Sequence, residues 1–158
     1  MKKALITGIS GQDGSYLAEL LLDKGYEVWG LFRRHSVPEN QTSRLDALGI
    51  MDHPNFNSES YGDMTDLPSI LRVLEKCKPD EIYNLAAQSH VRISFDQPAF
   101  TTNADAMGVL NLLEAMRLVC PDAKMYQAGS SEMFGNEFDD DGYRREDTLM
   151  RPVSPYGC

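Results

Sequence analysis

TGISGQDGSYL, residues 7–17, contains three glycines at intervals of three: Gly8, Gly11 and Gly14. The short apolar run KKALITG ends at the first glycine, Gly8. Leucines at helical spacing follow the third glycine as far as Lys24. This pattern predicts a strand, a tight turn and a helix in succession. Backbone N–H groups at such a helix start can receive a pyrophosphate that a Cβ would keep away. The stretch therefore predicts dinucleotide binding, although glycines also form turns that hold no ligand.

Strand and helix signals alternate along the rest of the chain. The further strand candidates are YEVWGLFRR (26–34), the weaker FNSESYG (56–62), DEIYNLAAQ (80–88) and AKMYQAGSS (123–131). Amphipathic stretches between short strands indicate βαβ units and a parallel sheet covered by helices on both faces. The sequence predicts an α/β fold with a doubly wound parallel sheet, the Rossmann fold, in a single domain over residues 1–158.

Two of the predicted helices have a defined inward face. DMTDLPSILRVLEKCK (63–78) offers Thr65 or Asp66 as the cap and predicts one apolar face made of Ile70, Leu71, Leu74 and Cys77. The stretch from Pro98 to Val119 predicts one long helix whose inward residues are Val109, Leu112, Leu113 and Met116. The polar segment 135–158 predicts a long loop.

Composition disfavours several classes of function. Fifteen Lys and Arg against 24 Asp and Glu give a net charge of −9, which disfavours binding to nucleic acid or an anionic membrane. Cys77, Cys120 and Cys158 are far apart and have no histidine cluster beside them, so we expect neither a metal site nor a disulfide framework. No apolar run has the length of a signal or membrane-spanning segment, and we expect a cytoplasmic protein.

Two arginines end the second predicted strand, at the place where NAD-binding proteins carry an acidic residue. Arg33 and Arg34 would satisfy the 2′-phosphate of NADP by charge-assisted hydrogen bonds, so we expect NADP as the cofactor. The alternative is that both guanidinium groups lie in solvent at the end of a strand.

Other polar or small residues follow the third and fourth strands. Ala86 and Ala87 would let the backbone approach a cofactor, or they serve close helix–sheet packing. Asp63 could accept a hydrogen bond from the adenine amino group, or it caps a helix.

Candidate catalytic groups lie near the fifth strand and the last residues. Ser130, Ser131 and Glu132 follow the strand. A serine hydroxyl there can hydrogen-bond a substrate oxygen, and a glutamate carboxylate in a partly dehydrated cleft can serve as an acid or base. The alternative is a surface turn. Tyr156 is a weak base at a pKa of about 10 and needs a neighbouring cation, and no lysine follows it in this sequence.

The stretches ITGISGQDGSYLAELLLDKGYEV, YNLAAQSHV, SSEMFG and RPVSPYG, in this order and spacing, resemble the N-terminal half of the extended short-chain dehydrogenase/reductase superfamily. Within it they are most similar to the GDP-mannose 4,6-dehydratase family, from Lys3 to Gly157. The resemblance implies an NADP-dependent lyase that converts GDP-mannose to GDP-4-keto-6-deoxy-mannose. It also implies a homodimer or homotetramer, in which the loop HSVPENQTSR (35–44) contacts the neighbouring subunit.

The resemblance also implies roles for individual residues. Tyr156 would take the proton of the C4 hydroxyl, Ser130 would hydrogen-bond that oxygen, and Glu132 would move a proton from C5 to the departing C6 oxygen. The positions that match cofactor contacts are Gly8, Gly11, Gln12, Asp13, Gly14, Arg33, Asp63, Ala86, Ala87, Ser89 and Tyr156.

The sequence departs from the family pattern in two places. Ser130 replaces the usual threonine, and by the resemblance the lysine of the Tyr-x-x-x-Lys motif and the sugar-nucleotide domain would be expected beyond Cys158. We therefore expect the 158 residues to be an incomplete enzyme that is inactive alone. Two alternatives remain: a sugar-nucleotide epimerase or 4-reductase, which would not need Glu132, and a non-catalytic dinucleotide-binding module.

Overall fold

The sheet has five parallel strands. The computed structural model describes residues 1–34 and 41–158. Its strands are β1 (Lys3–Thr7), β2 (Glu27–Phe32), β3 (Phe56–Tyr61), β4 (Glu81–Asn84) and β5 (Lys124–Gln127). They are ordered β3-β2-β1-β4-β5, and every neighbouring pair is parallel. Each strand lies inside a stretch that the sequence predicts, so the parallel sheet is confirmed.

Helices connect the strands. They are α1 (Gln12–Asp23), α2 (Ser43–Ala47), α3 (Leu67–Cys77), α4 (Val91–Asp96), α5 (Pro98–Thr102) and α6 (Gly108–Val119). A π-helical turn, Asn103–Met107, joins α5 to α6, and a 3₁₀ turn, Ser131–Phe134, follows β5. No helix in the described ranges has the length and apolar character needed to cross a membrane.

The core consists of two apolar layers, one on each face of the sheet. Alternate strand side chains point to opposite faces, so Val28 packs with α1 and α2, while Trp29 packs with α3 and α6. The first layer includes Ala4, Ile6, Ala18, Leu21, Leu22 and Leu45, and the second includes Leu5, Ile70, Leu74, Ile82, Leu112 and Ala115. Helices thus cover both faces, and the doubly wound fold is confirmed.

Residues 98–119 are helical, as predicted, but a π-helical turn divides the stretch into α5 and α6. The separate helix α4, which the sequence analysis did not predict, precedes it. Gln97, between α4 and α5, has φ −133° and ψ 60°, because a residue before proline is pushed out of the α region. Pro98 therefore separates two helices that the apolar pattern alone does not distinguish.

The inward face of α6 also differs from the prediction. Leu113 is 46% exposed, whereas Leu112 and Ala115 are fully buried and Val109 and Met116 are half-buried. A Cβ on Gly108 would lie 2.8 Å from the Cβ of Met64, so the helix approaches its neighbour through its smallest residue. This close approach turns the small residues inward and leaves Leu113 on the surface.

Helix α3 begins and packs largely as its sequence predicts. Ile70, Leu74 and Cys77 are buried, and Pro68 lies in the first turn. Of the two predicted cap residues, Asp66 occupies the cap position, although its side chain makes no hydrogen bond to the helix.

The segment after Phe134 is a long loop, as predicted, and one arginine organises its first part. The Arg144 guanidinium lies 4.1 Å from the ring centroid of Phe138 and 5.6 Å from that of Phe134. It donates hydrogen bonds to the carbonyl oxygens of Gly135 (2.6 Å) and Glu137 (3.0 Å). The loop therefore has a defined path without regular secondary structure.

Candidate coenzyme site

A cavity of about 610 Å³ lies at the carboxyl ends of the strands. The chain leaves β1 toward β2 on one side, while β4 lies on the other, so the strand order reverses at β1. Open parallel sheets bind ligands at this kind of position. The lining comes from the ends of four strands: Gly8, Ser10 and Gly11 after β1, Arg33 after β2, Gly62–Thr65 after β3, and Leu85–His90 after β4.

Two of the three glycines are required by the protein's own packing. Gly8 has φ +65°, and a Cβ there would lie 2.7 Å from the carbonyl oxygen of Leu85. A Cβ on Gly14 would collide with the Gly8 carbonyl oxygen and lie 2.8 Å from Cα of Ile9. The turn and the first helix therefore pack against β4 and β1 more closely than any side chain permits.

The start of α1 is open toward a ligand. Gly11 lines the cavity and occupies the N-cap position of α1, where no side chain makes a capping hydrogen bond. The first N–H groups of a helix lack partners inside the helix, and the helix dipole places positive charge there. This end of α1 fits the pyrophosphate of a dinucleotide.

The predicted adenosine-side residues separate into two groups. Arg33 and Arg34 are both exposed, but only Arg33 is among the described residues that line the cavity. Asp63 also lines it, and its Oδ1 accepts hydrogen bonds from the Thr65 N–H (2.9 Å) and hydroxyl (2.7 Å). Burial alone would raise the pKa of the Asp63 carboxyl. The two Thr65 hydrogen bonds and the charge of Arg33 outweigh burial and lower that pKa below its usual value.

The other predicted coenzyme residues are divided between cavity and surface. Ala86, Ala87 and Ser89 line the cavity with Gly8 and Gly11. Gln12 and Asp13 are exposed in the first turn of α1, and Gly14 is buried behind the turn. Of the predicted oligomer segment 35–44, residues 35–40 lie outside the described residues.

Asp105, a residue that the sequence analysis missed, holds the loop after β4. Its Oδ1 accepts a hydrogen bond of 2.7 Å from the Gln88 N–H, and the Gln88 side chain donates to the buried hydroxyl of Thr101 (3.1 Å). Oδ2 of Asp105 is buried and has no hydrogen-bond partner among the described residues. The π-helical turn carries Asp105 to this loop, a contact that no helical periodicity predicts.

Asp105 is expected to make stability depend on pH. Burial raises its carboxyl pKa above the usual 3.8, and the hydrogen bond from Gln88 only partly opposes the shift. Protonation therefore favours the folded state, and this contribution is lost as the pH rises from about 4 through the raised pKa. Asp105→Asn keeps the acceptor for the Gln88 N–H and removes the titration. We expect the variant to gain stability relative to wild type as the pH rises, measured by urea unfolding at several pH values. Parallel profiles would contradict this assignment.

The chain segments that carry the predicted catalytic residues pack against each other outside the described cavity lining. Ser130 caps the 3₁₀ turn, its Oγ accepting a hydrogen bond of 3.2 Å from the Glu132 N–H. A Cβ on Gly157 would lie 2.6 Å from the Glu132 carbonyl oxygen, so the backbone next to Tyr156 packs against this turn. The described cavity lining includes none of Ser130, Glu132 and Tyr156. The structure thus brings together the two chain segments that carry these three residues, after β5, the neighbour of β4.

Known proteins resemble this chain over nearly its whole length. A family model of GDP-mannose 4,6 dehydratases matches residues 5–158. GDP-mannose 4,6-dehydratase of Vibrio cholerae is 50% identical over 161 residues, which cover 98% of this chain and 42% of that protein. GDP-mannose 4,6 dehydratase 1 of Arabidopsis thaliana is 50% identical over 165 residues, covering 99% of this chain and 44% of that protein.

Solved structures share the fold of this chain, and two of them are complexes with NAD. The UDP-glucose 4-epimerase of Thermus thermophilus in complex with NAD has a TM-score of 0.77 and 26% identity, covering 98% of this chain and 46% of that one. Bordetella bronchiseptica WbmH in complex with NAD⁺ has a TM-score of 0.78 and 26% identity, covering 99% and 48%.

The chain spans less than half the length of each of these four relatives. Its own match to the family model is nearly complete and includes the glycine turn, the cavity loops and the segment around Tyr156. The chain therefore belongs to the GDP-mannose 4,6-dehydratase family.

Proposed function

We propose that this chain is the coenzyme-binding part of an NADP-dependent GDP-mannose 4,6-dehydratase, which converts GDP-mannose to GDP-4-keto-6-deoxy-mannose. The observation that carries the proposal is the cavity at the strand-order reversal, with the uncapped start of α1 on one side and Arg33 on another. We also propose that residues 1–158 form one domain and that residues outside this range bind most of the sugar nucleotide. The length of the relatives supports this division.

The residues present fit a dinucleotide. The glycine turn leaves room for backbone contact with a pyrophosphate, the Ala86–Ala87 stretch presents small side chains to the cavity, and Arg33 supplies a cation at its edge. When bound, the nicotinamide would accept a hydride from C4 of the sugar and later return it to C6. The chain itself would bind and orient both molecules.

Three side chains would move or hold protons on the sugar. Tyr156 would remove the C4 hydroxyl proton, and Ser130 would hydrogen-bond the same oxygen. A ketone at C4 makes the C5 proton acidic, so Glu132 would take that proton and pass it to the C6 oxygen, which leaves as water. The 3₁₀ turn supports these roles, because it places Ser130 and Glu132 in one hydrogen-bonded unit.

Coenzyme titration tests the first half of the proposal. We expect the 158-residue chain to bind NADPH more tightly than NADH, measured by the fluorescence of the reduced nicotinamide. GDP-mannose serves as the control ligand, and we expect it to bind far more weakly than NADPH. No binding of either coenzyme to folded protein would overturn the proposal.

A chimera tests the second half. Residues 1–158 would replace the matching N-terminal portion of the Vibrio cholerae relative, which is 50% identical there. We expect the chimera to form a 4-keto-6-deoxy sugar from GDP-mannose with NADP. Inversion at C4 without loss of the C6 oxygen would support an epimerase instead. If the chimera binds NADP but does not convert GDP-mannose, the result would support the alternative of a non-catalytic dinucleotide-binding module.

Arg33 is expected to set the coenzyme preference. Its guanidinium lines the cavity, and a charge-assisted hydrogen bond contributes about 1.5–3 kcal/mol. Arg33→Ala should therefore weaken NADPH binding by roughly 10-fold or more and change NADH binding little. Arg34→Ala is the matched control, since Arg34 is also exposed but is not among the described residues that line the cavity. Equal losses for both coenzymes, or a larger effect of Arg34→Ala, would contradict the assignment.

A further inference from the structure

One row of polar residues crosses three strands directly behind the cavity. Thr7, Asn84 and Gln127 are the last residues of β1, β4 and β5, and they are register partners across the sheet. Thr7 and Asn84 are fully buried, and Gln127 is exposed. Side chains of register partners point to the same face of a parallel sheet, so the three can bond in sequence.

The Thr7 hydroxyl holds the exit of β4. It accepts hydrogen bonds from the N–H groups of Leu85 (3.1 Å) and Ala86 (3.0 Å), both of which line the cavity. A hydroxyl has two acceptor lone pairs and one proton. With both lone pairs occupied, Thr7 must donate its proton, and it donates to Oδ1 of Asn84 at 2.5 Å.

The direction of the remaining bonds follows from that proton. Because Oδ1 of Asn84 faces Thr7, its Nδ2 faces Gln127 and donates to Oε1 at 2.7 Å. Nε2 of Gln127 then donates to the Ala128 carbonyl oxygen (3.0 Å), and the Ala128 N–H donates to the Asn84 carbonyl oxygen (3.1 Å). The network therefore has one orientation and ends two residues before Ser130.

We propose that Thr7, Asn84 and Gln127 are positioning residues that couple the coenzyme loop Leu85–Ser89 to the segment carrying Ser130 and Glu132. The coenzyme part of this inference rests on the proposed function; the coupling itself is a property of the free protein. In a hydrogen-bonded chain each member orients the next, so a change at Gln127 should reach the N–H groups of Leu85 and Ala86.

Amide hydrogen exchange of the ligand-free chain tests the coupling directly. We expect Gln127→Leu, a change of an exposed side chain, to speed exchange at Leu85 and Ala86 about fivefold, the equivalent of one neutral hydrogen bond. Exchange at Trp29, on β2, should not change. Acceleration confined to residues next to Gln127 would overturn the proposal.

Coenzyme affinity supplies the second readout. We expect Thr7→Val to weaken NADPH binding about fivefold and Thr7→Ser, which keeps the hydroxyl, to restore it. Ser60→Ala is the matched control, because the Ser60 hydroxyl is buried in β3 and has no partner among the described residues. If Thr7→Val lowers thermal stability but leaves NADPH affinity unchanged, Thr7 has only a structural role and the proposal fails.

A double-mutant cycle completes the test. Among the described residues, hydrogen bonds connect Thr7 with Gln127 only through Asn84. If the two residues had independent roles, the effects of their substitutions on exchange and affinity would be additive. We expect Thr7→Val with Gln127→Leu to do no more than the larger single change, and additivity would overturn the proposal. If wild type binds no coenzyme, the proposed function fails, while the exchange measurements still decide the coupling.

Discussion

Gly8→Ala is expected to lower the free energy of unfolding by about 3 kcal/mol or more. Two costs add at this position. An alanine at φ +65° occupies a left-handed backbone conformation, and its Cβ would lie 2.7 Å from the Leu85 carbonyl oxygen and 2.9 Å from the Ala86 nitrogen. Both of the crowded atoms belong to backbone, so neither can rotate away. Urea unfolding of the variant and of wild type gives the difference.

Gly25→Ala separates the two costs. Gly25 has φ +79°, but apart from its chain neighbours no atom of the described residues lies within 4 Å of where its Cβ would be. This control should cost only about 1 kcal/mol, the penalty of the left-handed conformation. Equal losses for Gly8→Ala and Gly25→Ala would mean that β4 moves away from the turn at little cost. The close packing of the turn against β4 would then be wrong.

Glu132→Gln is expected to reduce dehydration by at least 100-fold in the chimera, since general acid–base catalysis contributes factors of this size or larger. Glutamine keeps the shape of the side chain but cannot take a proton from C5. Hydride transfer from C4 precedes that step, so it should persist. Coenzyme reduction in a single turnover reports hydride transfer, and exchange of the C5 hydrogen with deuterated solvent reports proton removal.

Glu146→Gln is the matched control for charge. Glu146 is exposed in the long loop that follows the 3₁₀ turn, so its replacement should leave both measurements unchanged. Unchanged turnover of the Glu132→Gln chimera would remove Glu132 from the reaction and favour an epimerase or a reductase. Loss of hydride transfer as well would show that Glu132 orients the sugar before any proton moves.

The predictable part of this fold is the part encoded by local pattern. The strand, glycine turn and helix around Gly8 form because the turn needs a left-handed residue and close backbone approach, and both requirements are visible in the sequence. Alternation of strands with helices then places the strand ends at one edge. Arg33, Asp63 and Ala86 come to the cavity for this topological reason, without any contact between them being predictable.

The missed features depend on contacts between distant segments. Leu113 fits a helical stripe, yet the close approach of Gly108 to Met64 turns α6 so that Leu113 faces outward. Asp105 reaches Gln88 only because a π-helical turn changes the helical phase. The asparagine inside the strand EIYN was the available signal for the polar row. A fully buried amide needs partners, and Asn84 finds them in Thr7 and Gln127.

The strand order makes two properties of this protein separable by mutation. Arg33 and Asp63 follow β2 and β3 on one side of β1, whereas Ser130 and Glu132 follow β5 on the other side. Under the proposed function, a protein engineer would redesign the recognition of adenosine on the first side without entering the side of the sheet edge that would handle the sugar.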